Sequence, residues 1–222
     1  MRAAARAPRL PPTAGAGALR PGVLLLRGMR VGLYGGTFDP AHAGHGHVAS
    51  TALRRLRLDR ILWLVSPQNP LKAPHAGQSL GERLIGARSH AAGPSMRVSD
   101  FEAKIGARFT LDTVRAFKAR YRGVHFVWIM GADGLGGFHR WRGWAQILRE
   151  IPIAVVARPG FGLRSRFSTA ARRFASARLP MSAGPRLAVA HPPAWIYLDA
   201  PLNFSSSTAL RGPRGAQTDA HR

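Results

Sequence analysis

An open parallel α/β sheet with helices on both faces is the fold class this sequence predicts, and three observations predict it. From Met29 onward, strand-like and helix-like stretches alternate along the chain. The strand-like ones, such as Ile61–Val65 (ILWLV) and Ile153–Ala157 (IAVVA), are apolar without a polar alternation. That is the pattern of strands buried on both faces. Turn residues such as Gly35-Gly36 and Ser66-Pro67 then close the runs. In such sheets ligands bind beyond the carboxyl ends of the strands, near the point where the strand order reverses. The loops after Tyr34, Val65, Met130 and Ala157 are therefore where chemistry is expected.

The elements follow in order. Arg30–Tyr34 (RVGLY) reads as the first strand, and residues 44–58 carry Val48, Ala52, Leu53 and Leu56 at helical spacing. Ile61–Val65 is the second strand, Leu80–Ala92 a helix and Met96–Val98 a short strand. Thr110–Tyr121 reads as helix with Val114 and Phe117 on one face, and Val124–Met130 (VHFVWIM) as a buried strand. Trp144–Arg149 is helical, while Ile153–Ala157 and Trp195–Leu198 (WIYL) are strands. Phe161–Arg186 is basic, Ala-rich and free of acids, which reads as a solvated helix and loop. No internal repeat is evident.

The first 28 residues stand apart in composition. Arg2, Arg6, Arg9, Arg20 and Arg27 are their only charges, and Pro8, Pro11, Pro12 and Pro21 block a long helix. The prolines spoil an amphipathic targeting helix, and Val23–Leu26 is too short for a secretory apolar region. The segment reads as a disordered extension, or as translation assigned upstream of a start at Met29. Residues 29–222 read as a single domain, in line with ~150 residues per domain.

Composition narrows the function. The chain has 222 residues, 45% of them apolar, which is enough for a core. It has no cysteine, so disulfide frameworks, Cys-ligated zinc and thiol catalysis are excluded. No apolar run reaches the ~18 residues of a membrane span. A soluble, cytoplasmic protein is the expectation. The 33 Lys+Arg against 10 Asp+Glu give a net charge of +23. Nearly all of these cations are Arg, a compositional bias that raises charge without implying nucleic acid. A basic surface attracts polyanions non-specifically, and nucleotides suit it as well as nucleic acid does.

The loop after the first strand carries the strongest chemical signal. It reads Gly35-Gly36-Thr37-Phe38-Asp39-Pro40-Ala41-His42-Ala43-Gly44-His45. Glycines after a strand let backbone approach a ligand closely, and the helix beginning near Ala43 turns its N-terminus to the same space, which suits phosphate. His42 and His45, three apart, project together there. They can donate to phosphoryl oxygens and gain charge as a transition state becomes more negative. A metal site is the rival reading, but a His pair without supporting carboxylate or Cys ligands is a weak zinc signal. Near the C-terminus, Ser206, Ser207 and Thr208 are good helix-start residues, and Arg211 falls one turn later, where a guanidinium can grip phosphate. Asp133 follows a buried strand and suits a ribose hydroxyl or a metal-bound water; helix capping is its competitor.

Gly36-Thr37-Phe38-Asp39-Pro40 with His42-Ala43-Gly44-His45 resembles the GxFDPxHxGH signature of the nucleotidylyltransferases with an HxGH motif. Ser206–Arg211 is similar to the SSTxIR motif of that superfamily. Phe109–Thr113 resembles the SYTxDT segment of the bacterial nicotinate-nucleotide adenylyltransferases, with Arg108-Phe109 in place of Ser-Tyr. Gly131-Ala132-Asp133 with Phe138 and Trp141, and Val156–Gly160, resemble two further stretches of that family. The resemblance spans about Met29 to Arg211 and implies a Rossmann-like sheet.

It also implies adenylyl transfer from ATP to nicotinate mononucleotide, with Mg²⁺ held mainly by the ATP phosphates. His42, His45 and Arg211 are then the expected catalytic residues. Gly35, Gly36, Thr37, Phe38, Gly131, Asp133, Arg158, Ser207 and Thr208 are expected on ATP. Lys72, Thr110 and Trp141 are expected on the mononucleotide, Trp141 by stacking on the pyridine ring. No protein ligand to a metal, no specific nucleic acid and no membrane are expected; a homo-oligomer is left open. Two alternatives stand beside this reading. One is another HxGH adenylyltransferase, acting on nicotinamide mononucleotide or phosphopantetheine. The other is a basic nucleic-acid-binding module, which would leave the histidine loop unexplained.

Overall fold

The computed structural model of the chain describes residues 23–67, 77–158, 161 and 165–199. Among them, seven strands make one sheet: β1 (Arg30–Gly36), β2 (Arg60–Val65), β3 (Met96–Ser99), β4 (His125–Gly131), β5 (Ile153–Val156), β6 (Arg178–Leu179) and β7 (Trp195–Leu198). Their order is β3-β2-β1-β4-β5-β7-β6, and every pairing is parallel. The order reverses between β1 and β4, so the crevice beyond Gly36 and Gly131 is the switch point.

Helices cover both faces, because alternate residues of each strand point to opposite sides and both sets are apolar. Val31, Leu33, Leu62, Leu64, Phe126, Trp128, Met130, Ile153 and Val155 face one layer. Among the described residues, α3 (Phe101–Lys104), α4 (Thr110–Arg120), α5 (Ala132–Gly137), α6 (Trp144–Glu150) and α7 (Thr169–Arg173) pack there. Tyr34, Ile61, Trp63, Val65, Val127, Ile129 and Val156 face the other layer. It holds α1 (Ala43–Arg55), α2 (Leu80–His90) and the 3₁₀ segment Met181–Val189. The open parallel sheet expected from the sequence is the one observed, and the element bounds differ by one to three residues.

Two expectations are corrected. The chain does not separate from the domain at residue 28: Leu25 is buried in the core with Val23 packed against it, and Gly28 N–H donates to Gly123 O at 2.7 Å. The Val23–Leu26 run is short, but burying one leucine is enough to anchor it. Residues 1–22 lie outside the described residues. The Phe161–Arg186 stretch is not merely a solvated helix and loop. Ala170, Ala171 and Phe174 are core residues and Arg178–Leu179 adds a strand to the sheet edge. Its small alanines pack α7 against α5 and the turn Phe138–Arg140, a burial that its basic composition concealed.

Candidate active site

The chain leaves β1 through a turn that only glycine permits. A Cβ on Gly35 would lie 2.5 Å from the Trp128 indole, which packs across the strand end from β4. Phe38 takes a left-handed φ of 49° and is buried. Its ring meets Tyr34 and His45 edge-on, with centroids 5.3 and 5.0 Å away, and Trp63 at 5.1 Å. That packing holds a backbone strain of about 1–2 kcal/mol. Phe38 therefore shapes the loop from inside.

His42 and His45 fold into a reciprocal cap on α1. His42 Nδ1 accepts the Gly44 N–H at 3.0 Å, and His45 Nδ1 accepts the His42 N–H at 3.2 Å. His45 and Gly46 N–H groups donate to His42 O. The helix start thus spends its N–H groups internally, instead of leaving them open to phosphate as expected. The polarity is passed on through the rings. With both Nδ1 atoms accepting, each neutral ring carries its proton on Nε2. The rings lie 3.8 Å apart, so two Nε2–H donors stand side by side. Burial, then the Arg158 charge, pushes the His42 pKa down to about 4. His42 is consequently a neutral donor in the ligand-free protein, not a group that is charged at neutral pH.

Arg158 comes from the end of β5 and Asp133 from the start of α5. Their side chains pair at 3.0 Å, and Arg158 Nη2 lies 3.4 Å from His42 Nε2. A guanidinium and an imidazole that both donate face one acceptor position between them, the arrangement a phosphoryl oxygen fills. Gly131 sits beneath, where any Cβ would collide with Asp133 and Arg158.

Beside this cluster is a cavity of about 380 Å³. Gly35, Gly36 and Thr37 line one side; Ala107, Arg108, Phe109 and Thr110 line another, with Trp128 and Trp141 nearby. Trp141 is half-buried and stands edge-on to Trp128 at 6.4 Å. Phe109 begins α4 with no side-chain cap. Asp112 is exposed, as expected of a residue turned away from the site. The fold thus brings Gly35, Gly36, Thr37, Thr110 and Trp141 to one cavity, and His42, His45, Gly131, Asp133 and Arg158 to its flank. Lys72, Ser207, Thr208 and Arg211 lie outside the described residues.

Several participants escaped the sequence reading. Arg83 is buried, and its guanidinium donates to Thr37 O (2.8 Å), Ser66 O (2.6 Å), Pro67 O (2.8 Å) and, through Nε, Gln78 O (3.2 Å). It ties the loop after β1 to the loop after β2. Glu102 is buried at the cavity and accepts from Ser66 Oγ at 2.5 Å and Thr113 Oγ1 at 3.0 Å. Burial raises its pKa, with the two hydroxyls opposing. Arg140 and Arg142 also line the cavity. A lone charged residue on a helix or loop carries no signal of what will face it across the fold.

The model of the cytidylyltransferase-like family matches residues 33–212. A Caulobacter sp. (strain K31) protein named "Probable nicotinate-nucleotide adenylyltransferase" is 61% identical over 184 residues, covering 83% of this chain and 97% of that protein. A Methylorubrum extorquens protein of the same name is 54% identical, covering 82% of this chain and 99% of that protein. Among solved structures, a Plasmodium falciparum nicotinic acid mononucleotide adenylyltransferase complexed with NaAD superposes with a TM-score of 0.59. That match covers 82% of each chain at 14% identity, so it speaks to the fold.

Proposed function

The chain belongs to the cytidylyltransferase-like family and groups with its nicotinate-nucleotide adenylyltransferases, and from that premise we infer its reaction. It transfers the adenylyl group of ATP to nicotinate mononucleotide, giving nicotinate adenine dinucleotide and pyrophosphate. The mononucleotide phosphate oxygen attacks the α-phosphorus in line as the bond to the β-phosphate oxygen breaks. A phosphate monoester is already ionised at neutral pH, so no general base is needed. The work left to the protein is positioning and charge stabilisation.

The observation that carries this reading is the His42–His45–Arg158 donor cluster set at the switch point beside a cavity lined by Thr110 and Trp141. In the proposal, His42, His45 and Arg158 donate to the triphosphate, with His45 at the α-phosphate. Gly131 and Asp133 meet the ribose side of ATP, and Gly35, Gly36 and Thr37 lie between the two substrates. Trp141 stacks on the pyridine ring, and Thr110 with the uncapped start of α4 receives its carboxylate. Lys72, Ser207, Thr208 and Arg211 keep the phosphate roles that the resemblance implies. A cytoplasmic location belongs to the same proposal. Among the described residues, no helix is long and apolar enough to cross a membrane.

Mg²⁺ is proposed to arrive on the triphosphate and to offset its charge. The donor set fits that role. Asp133 is already ion-paired with Arg158, so it suits holding a water of a phosphate-borne ion better than ligating the ion itself.

Pyrophosphate release with ATP, measured across nicotinate mononucleotide, nicotinamide mononucleotide and phosphopantetheine, tests the reading. Release with the first is expected to dominate. Release with phosphopantetheine alone would overturn it.

A further inference from the structure

In a chain with 33 basic and 10 acidic residues, the acids have cations to spare. Asp100, Asp133, Glu150 and Asp199 each form an ion pair. Glu102 does not: it is 6% exposed, and among the described residues its carboxylate meets two hydroxyls and no basic group. Ser66, from the end of β2, and Thr113, from the first turn of α4, fix both of its oxygens. A carboxylate buried without a cation is costly unless something else supplies the charge. This one lies at the wall of the cavity, while Arg108, Arg140 and Arg142 line the same cavity. Arg142 is held with its guanidinium 4.7 Å from the Phe109 ring centroid. The lining therefore carries charge of both signs, with no ion pair between Glu102 and these arginines among the described residues.

A ligand that satisfies both signs is a zwitterion. The ring nitrogen of an N-ribosylated pyridine is quaternary and positive at every pH, and the ring carboxylate and the 5′-phosphate are negative. We propose that Glu102 is a specificity-determining residue that recognises the positive ring of an N-ribosylpyridinium mononucleotide, while the arginines of the same lining receive its anionic groups. The inference rests on the proposed acceptor and goes beyond it by assigning the recognition of ring charge. Trp128 and Trp141, both at the cavity, add aromatic faces that favour a cation in the same place. Ser66 and Thr113 keep the carboxylate aimed before the ligand arrives, so little ordering remains to be done on binding.

The experiment compares two ligands by calorimetry in the full-length protein. One is nicotinate mononucleotide. The other is the C-riboside 5′-phosphate of benzoate, which keeps carboxylate, phosphate and shape but has no ring charge. The wild-type protein is expected to bind the pyridinium at least tenfold more tightly. In Glu102→Gln that preference is expected to fall below threefold, with KM for ATP unchanged and the loss appearing in KM for the mononucleotide rather than in kcat. Glu102→Asp, which keeps the charge, is expected to retain most of the preference. Equal binding of the two ligands by the wild type, or an undiminished preference in Glu102→Gln, would overturn the proposal. Failure of the underlying reading is told apart by wild-type protein that releases no pyrophosphate from ATP and nicotinate mononucleotide.

Discussion

His42 Nε2 and the Arg158 guanidinium lie 3.4 Å apart, although both are donors. They are brought there by different elements, the cap of α1 and the end of β5, on either side of the reversal in strand order. Two like donors held this close make a preformed acceptor site, because an anion between them satisfies both at once. Preorganisation of this kind is what a reaction without a covalent intermediate requires of its protein.

The His42 ring has a pH signature. Its pKa of about 4 lies below the ordinary 6.5, so the unfolded chain takes up the proton first as pH falls. The stability His42 contributes is fully present above pH 6.5 and is lost as pH drops from there towards 4. Nitrogen-15 NMR of the ligand-free protein is expected to show an Nε2–H tautomer that titrates near 4. Burial is the first cause and Arg158 the second, so Arg158→Met is expected to raise that midpoint without restoring it to 6.5. A midpoint unmoved by Arg158→Met would mean the two side chains do not interact in solution.

His45 is expected to matter to rate more than to ATP binding. As a donor to charge that grows at the α-phosphate, its loss in His45→Ala should lower kcat by ~10²–10³. KM for ATP should change much less. Because its Nδ1 also accepts the His42 N–H, the same change should cost about 1 kcal/mol of stability. Steady-state kinetics and urea denaturation on one preparation separate the two effects.

Arg83 makes a sharper structural test. Arg83→Met would leave the carbonyls of Thr37, Ser66, Pro67 and Gln78 without their donor. At ~1–3 kcal/mol for a buried unsatisfied group, and with partial access to water, a loss of about 3 kcal/mol is expected in urea denaturation. Amide exchange should rise around Thr37 and Ser66 together, since the one side chain serves both loops. Exchange rising at only one of them would show that Arg83 does not couple the loops.

Leu25 sets where the domain begins. Starting the chain at Met29 removes Leu25 from the core and the Gly28–Gly123 hydrogen bond with it. Losing a buried leucine costs about 2–5 kcal/mol, and each kcal/mol moves the melting temperature of a chain this size by about 2–4 °C. Truncation at Met29 is therefore expected to lower Tm by about 4–20 °C, and Leu25→Ala in the intact chain should reproduce most of it. An unchanged Tm in both would place Val23–Gly28 outside the cooperative fold.

The strands Ile61–Val65 and Trp195–Leu198 were legible because burial on both faces leaves a continuous apolar run. The strand Arg178–Leu179 was not: a two-residue strand exists through its ladder to β7, and nothing local encodes it. Helix α5 was hidden by three glycines in ADGLGG, and the 3₁₀ segment by Pro185. The histidine loop was legible because its chemistry is contiguous in sequence. Glu102, Arg83 and Arg142 were not, because each acquires its role from residues that the fold brings from other elements. Even within the legible loop the physics differed. His42 and His45 cap the helix with one nitrogen and offer the other to a ligand, so structural and ligand-binding roles coincide in one ring.

Acid-versus-amide choice at the pyridine ring follows from the same cavity. Nicotinate and nicotinamide mononucleotides have nearly the same shape, so stacking on Trp141 adds affinity without choosing. Discrimination must come from polar groups that one ligand leaves unpaired. The cavity presents the uncapped start of α4 and three arginines, Arg108, Arg140 and Arg142, all of which favour a carboxylate over an amide. Asp112 is exposed and adds no repulsion inside the cavity. Among the described residues, Glu102 is the one acid in the lining. Its two oxygens are taken up by hydroxyls, and it pairs with the ring nitrogen in the proposal above, so it does not cancel the arginines. Two extra polar contacts at about 1 kcal/mol each give tenfold or more in kcat/KM for the acid mononucleotide. Removing the guanidinium in Arg142→Ala should narrow that ratio severalfold through KM for the acid, while leaving kcat/KM for the amide nearly unchanged. Coupled pyrophosphate release with both mononucleotides measures the ratio directly. Equal efficiencies in the wild type would mean that these donors do not reach the ring substituent, and would leave the adenylyl-transfer chemistry standing without the acid preference.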